Sequence, residues 1–123
     1  MATNFVQDGR MLDYTNSTSS VITSGQVLAV GAVLGVAMDD IAVGASGVIA
    51  IEGVFTVPKV SGAEISQGET LTWDISAAAF DDSSATAATG DITGPTAFAV
   101  EAAGDGITSL AVKFTGVPGT VKA

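Results

Sequence analysis

Two pairs of adjacent carboxylates, Asp39-Asp40 and Asp81-Asp82, are the first places in this sequence to look for chemistry. Paired carboxylates can serve as the acid and base of a glycosidase, or hold a hard cation. Neighbours on a strand point to opposite sides, however, and neither pair has a calcium-loop spacing, so both read as solvated turns. Trp73-Asp74 sets an aromatic beside a carboxylate, a possible sugar platform, although a lone Trp is more often a core anchor. Asn16-Ser17-Thr18 has the form of a glycosylation sequon; with no signal-peptide core in the first ten residues, it is expected to be a turn. The glycine stretches Gly31–Gly35 and Gly44–Gly47 have neither the spacing nor the Lys of a phosphate loop.

What is missing narrows the choice further. The chain has no Cys and no His, which removes thiol nucleophiles, zinc thiolate sites and the commonest general base. Four basic residues stand singly, at Arg10, Lys59, Lys113 and Lys122, against thirteen acidic ones, for a net charge of −9. Binding a phosphate backbone rests on neutralising it with Lys and Arg, so no nucleic-acid partner is expected. No catalytic residue, metal site or cofactor is expected, and the chain does not read as an enzyme. Hydrophobic residues make up 47% of its 123 residues and charged ones only 14%, against about 25% in typical soluble domains. That composition rules out disorder and points to surface buried in an assembly. The most apolar run, Val27 to Met38, is too short for a membrane span of about 20 residues and reads as two strands joined at a turn. No membrane partner is expected, and synthesis is expected in the cytoplasm.

The elements that must carry these residues are strands. Glycines rarely leave ten clear residues, and each inside a helix would cost roughly 1 kcal/mol relative to Ala, while short apolar runs alternate with turn residues. Strands are predicted at Met11–Thr15, Val21–Thr23, Val27–Val30, Val33–Ala37, Gly47–Val57, Thr70–Ile75, Thr96–Ala102 and Ile107–Phe114. In the last, Leu110, Val112 and Phe114 form the apolar face; around Gly47–Val57, Ile49, Ile51, Gly53 and Phe55 do, with Gly53 marking a bulge or close approach. Asp105-Gly106 is the strongest hairpin signal. Ser76–Thr89, rich in Ala and Ser, fits a loop or a turn or two of helix. A faint internal repeat runs through the chain: Leu34–Ala37 through Gly53-Val54 lies over Ala97–Val100 through Gly116-Val117 at an offset of 63. Ser24-Gly25-Gln26 likewise matches Gln67-Gly68-Glu69 before a strand. These features predict an all-β fold, a small β-barrel or sandwich of short antiparallel strands. Residues 1–15 form an N-terminal arm or first strand, and 16–123 a single β-domain.

Asn4-Phe5-Val6-Gln7-Asp8-Gly9, then Leu12-Asp13-Tyr14-Thr15 and Val21-Ile22-Thr23-Ser24-Gly25-Gln26, resemble the opening of a family of tailed-phage capsid cement, or decoration, proteins. The likeness continues through Asp40–Gly44, Glu52-Gly53-Val54-Phe55-Thr56-Val57-Pro58-Lys59, Ile65–Glu69, Thr72-Trp73-Asp74 and Val112-Lys113-Phe114, and departs at Ser76–Gly90, where no role is carried over. Members sometimes carry a recombinase-like label, for which the residues give no support, since a strand-exchange ATPase needs the missing phosphate loop. The resemblance implies a structural virion protein on the capsid exterior. Its partners would be the major capsid protein and itself, as a homotrimer, and it would sit between capsomers and strengthen the shell. Phe5, Val6, Met11, Leu12 and Tyr14 would be the apolar capsid or subunit contacts of the arm. The alternative is a β-domain binding module displayed on a particle, with Trp73 as the platform for a glycan or host surface.

Overall fold

The computed structural model describes residues 9–123, so Phe5 and Val6 lie outside the described residues. Every regular element in that range is a strand: β1 (Met11–Thr15), β2 (Val27–Val30), β3 (Val33–Ala37), β4 (Ser46–Ala50), β5 (Glu52–Pro58), β6 (Thr72–Asp74), β7 (Ala79–Asp81), β8 (Ile92–Thr93), β9 (Ala97–Ala99), β10 (Ser109–Thr115) and β11 (Thr120–Val121). They form three antiparallel sheets, in the orders β1-β4-β3-β2, β5-β10-β9 and β11-β8-β6-β7. The result is a small sandwich, and the sheets do not close into a barrel.

The alternation read from the sequence sets the faces. Val57 pairs with Leu110, Phe55 with Val112 and Gly53 with Phe114, and this face of the second sheet turns inward. Val27, Leu34 and Val36 of the first sheet join it in one core, together with Trp73, Phe80 and Ile92 of the third. Phe80 and Phe114 are fully buried there, edge to face at 5.9 Å. The opposite face of the first sheet closes over a smaller cluster of Ile22, Ala37 and Ile41, with Tyr14 and Leu28 against it. The apolar run from Val27 folds as the expected hairpin, with Gly31 (φ 61°) opening its two-residue loop.

The first sheet and the second are two copies of one design. Ile22 bridges Ile41, and 43 positions on Ile65 bridges Ala103. Each bridge leads into the same turn. Gln26 N–H donates to Thr23 O (3.0 Å) while Gln26 Oε1 accepts Thr23 N–H (3.1 Å); Glu69 repeats both bonds with Ser66 at 3.2 and 2.9 Å. Gly25 N–H then donates to Ala37 O and Ala37 N–H to Gln26 O, as Gly68 does to Ala99 and Ala99 to Glu69. Asn16 and Lys59, also 43 apart, follow the first strand of each copy and donate their N–H to Ala45 and Thr108. The repeat is therefore real in three dimensions, but Ala37 matches Ala99, 62 positions on, and not Val100 at the offset of 63. It is broken in the second copy by β6, β7 and β8, inserted between Leu71 and Thr96.

Four sequence expectations need correction. Val21–Thr23 contributes only the single bridge at Ile22. The long strand over Gly47–Val57 is two strands, because the chain leaves one sheet for the next at Ile51, whose N–H is held by Arg10 O. Ser76–Thr89 contains β7, since Phe80 pairs across from Trp73 with ring centroids 4.9 Å apart, and that buried aromatic pair overrides the Ala-rich surroundings. Asp105-Gly106 does make a turn (Gly106 φ 89°), but β9 and β10 pair from Ala99 and Val112 outward, so the connection is far longer than a two-residue hairpin.

Candidate functional site

Asp81 and Asp82 are tied into a local turn, and Asp40 is held across the first repeat. Asp40 Oδ1 accepts Ser24 N–H (2.8 Å) across the first repeat; Asp82 Oδ1 accepts the N–H and hydroxyl of Ser84, and Asp81 Oδ1 accepts Asp82 N–H. Among the described residues no three His, Cys, Asp or Glu side chains converge as metal ligands would. Asp74 is committed in the same way. Its Oδ1 accepts the hydroxyl and N–H of Ser76 and the N–H of Ala77; the Ser76 hydroxyl most strongly, then the Ala77 N–H, holds its carboxyl below the ordinary range. Trp73 is 4% exposed and packed against Phe80, so it is a core anchor and offers no open face for a sugar to stack on. The sequon Asn16 is fully buried. Its Nδ2 donates to Ser20 O and Ile41 O at 2.9 Å, and its Oδ1 accepts the N–H and hydroxyl of Thr18.

Lys59 holds the position equivalent to Asn16 and does the same work with a charge. It is 3% exposed, and Nζ donates to the carbonyls of Val60 (2.8 Å), Ile107 (3.0 Å) and Gly104 (3.1 Å), with Ser61 at 3.5 Å. One of the four cations is thus spent inside the fold. The exposed ones are Arg10, Lys113 and Lys122, on an otherwise acidic exterior.

Of the contact residues expected from sequence, Met11, Leu12 and Tyr14 lie on β1, paired with Ala50, Ile49 and Gly47 of β4 in the same chain. Leu12 and Tyr14 turn to the smaller cluster and are half-buried; Met11 points to the other face. There Met38 lies across from Val48, and Met11 across from Ala50, the next same-face position, all three exposed by 37–41%. An apolar stripe thus continues the core face of the first sheet past the point where the second sheet covers it.

Sequence reasoning missed a cleft of about 350 Å³ between the Thr23–Gln26 turn and the β6–β7 turn, walled by Val27, Pro58, Trp73 and Ala78. Ala78 sits on its rim at φ 50°, a backbone conformation that costs a non-glycine residue roughly 1–2 kcal/mol. The repeated Thr/Ser-x-Gly-Gln/Glu turn was the legible signal for this place, but nothing local tells that Trp73 and Pro58 come to face it.

The family model described as phage cement protein matches residues 6–114, nearly the whole chain. The chain matches no curated protein sequence.

Proposed function

The chain belongs to the phage cement protein family and is a structural, capsid-associated phage protein; from that premise we propose that it binds the outer surface of a phage capsid between capsomers and stabilises the shell. The single observation that carries this reading is the family match over residues 6–114. Its chemistry fits: the carboxylates are tied into turns, and the charged fraction of 14% suits a protein that buries surface in an assembly. We place its contacts on the N-terminal residues, Phe5 and Val6 with Met11, Leu12 and Tyr14, which act as an arm or first strand ahead of the β-domain of residues 16–123. Among the described residues β1 is an edge strand, which supports this. Arg10 and Asn16 bond toward β4, so by antiparallel alternation Asp13 and Thr15 turn their main-chain groups to the open side, where a strand can add. Self-association as a homotrimer on the capsid exterior multiplies weak contacts into avidity. The protein is made in the host cytoplasm, where shells are assembled.

The test is decoration of expanded parent capsids by the purified chain, with light scattering for its mass. The full chain is expected to co-sediment with capsids, raise their disruption temperature and scatter as a trimer. Removing residues 2–8, which leaves β1 in place, is expected to weaken attachment or trimer formation. Capsids that stay bare and no more heat-resistant with the full chain would sink the cement role; a truncated chain that decorates equally well would sink the arm.

A further inference from the structure

The two repeats differ in what their matching turns hold. In the second, Glu69 closes its own turn with Oε1, and its outward Oε2 receives both the N–H and the hydroxyl of Ser83, each at 2.8 Å. A passing segment of chain is fastened there. In the first, Gln26 closes the turn with Oε1 on Thr23 N–H, so its Nε2 is the outward atom, and no acceptor among the described residues meets it. Glu and Gln are isosteric, yet the outward group has changed from an acceptor to a donor.

Beside Gln26 lies the cleft walled by Val27, Pro58, Trp73 and Ala78. The Trp73 indole N–H meets no acceptor among the described residues, yet no buried side-chain nitrogen or oxygen there lacks a partner. That N–H therefore keeps some access to solvent, and Trp73 is one of the residues that line the cleft. The site thus combines two unpaired neutral donors with an apolar wall, at the small end of the roughly 300–1,000 Å³ typical of ligand pockets. We infer that the cleft seats an extended, uncharged segment of the capsid protein, whose backbone carbonyls accept from Gln26 Nε2 and Trp73 Nε1 while one apolar side chain rests against Val27, Pro58 and Ala78. The inference rests on the capsid-binding reading above and adds a second place of contact to the N-terminal one.

Other ligand classes fit less well. A sugar needs an aromatic face, and that of Trp73 is taken by Phe80. An anion would meet neutral donors with the Asp40 and Asp74 carboxylates on the flanking turns and a net charge of −9. A polypeptide has its precedent in the molecule itself, where the equivalent turn holds the main chain of Ser83.

Gln26→Glu is the discriminating variant, because the second repeat already folds with Glu in this turn. It keeps the acceptor that closes the turn and puts a carboxylate oxygen where the donor stood. The expected result is an unchanged melting temperature with at least tenfold weaker capsid binding. In a second measurement, the 15N-labelled chain, whose single Trp gives one indole signal, is titrated with overlapping synthetic peptides of the major capsid protein. One peptide should shift the Trp73 indole and Gln26 side-chain amide signals, and Gln26→Glu should abolish the shift. The inference is overturned if Gln26→Glu decorates capsids like the unaltered chain. It is equally overturned if no peptide moves the indole signal, if oligosaccharides move it instead, or if the variant changes only the oligomer mass, which would make the occupant a second copy. Failure of the unaltered chain to bind capsids at all would instead refute the capsid-binding reading, leaving the peptide titration to decide whether the cleft takes a polypeptide.

Discussion

Replacing Lys59 by Met should be among the most damaging single changes outside the aromatic core. The ammonium is 3% exposed and held by main-chain carbonyls, three of them between 2.8 and 3.1 Å. Met fills nearly the same volume, so packing is kept while the carbonyls lose Nζ; Val60 O still accepts Ala63 N–H and Gly104 O still accepts Ile107 N–H, which leaves Ile107 O as the one without a donor. An acceptor left without a partner costs about 1–3 kcal/mol when buried. The low end applies, because the loops that supply the carbonyls include exposed Ser61, Gly104 and Ile107 and can admit water. The orphaned Ile107 carbonyl costs about 1 kcal/mol and the two weakened carbonyls about 0.5 kcal/mol each, roughly 2 kcal/mol in all. Unfolding entropy of about 2.1 cal/mol/K per residue gives roughly 0.25 kcal/mol/K for a chain of this size, so the melting temperature should fall by about 8 °C. Urea unfolding followed by fluorescence of Trp73, the chain's only Trp and buried on Phe80, measures this directly. The exposed Lys113→Met is the control and should stay within about 0.5 kcal/mol. If Lys59→Met also stays within that range, with an unchanged denaturant slope, the carbonyls are solvated and the buried ammonium does not hold the repeat together.

Two further outcomes are expected. Glu69 is held below its ordinary value of 4.5, chiefly by the Ser66 N–H and then the Ser83 N–H, and Asp74 below 3.8 by Ser76 and Ala77. Because both folded values are lowered, the stability they contribute is whole above the unfolded values and is lost as pH falls through the folded ones. The urea midpoint should therefore hold between neutrality and about pH 5.5 and decline toward pH 3. The double variant Glu69→Gln, Asp74→Asn should decline less steeply, and an identical slope would refute the assignment. Gly119→Ala should loosen β11, since a Cβ there would press into the Thr93 carbonyl and crowd Ile92 and Thr96, while Gly119 N–H anchors to Ala32 O. A loss of about 1–3 kcal/mol is expected, with faster amide exchange at Lys122, whose N–H donates to Asp91 O. Gly62→Ala, which meets nothing within 4 Å, should leave both unchanged.

The sequence by itself determined what is local. Short apolar runs bounded by turn residues, over Met11–Thr15, Val27–Val30 and Val33–Ala37, located three strands to the residue, because such signals act within a few positions. The matching Gly-Gln and Gly-Glu turns were visible for the same reason, since each closes on a residue three positions earlier. The contact assignment on the N-terminal residues came from resemblance, not from any pattern in the chain. What the tertiary structure decided depends on partners far away in sequence. β7 and β8 exist because Trp73 pairs with Phe80 and Ile92, and β11 because Val121 finds Ile92. Lys59 reads as a solvated charge until the fold brings it against carbonyls 45 and 48 positions later. The cleft beside Gln26 is likewise assembled from two repeats and an insert, and only where they meet does a glutamine amide differ in consequence from the glutamate that matches it.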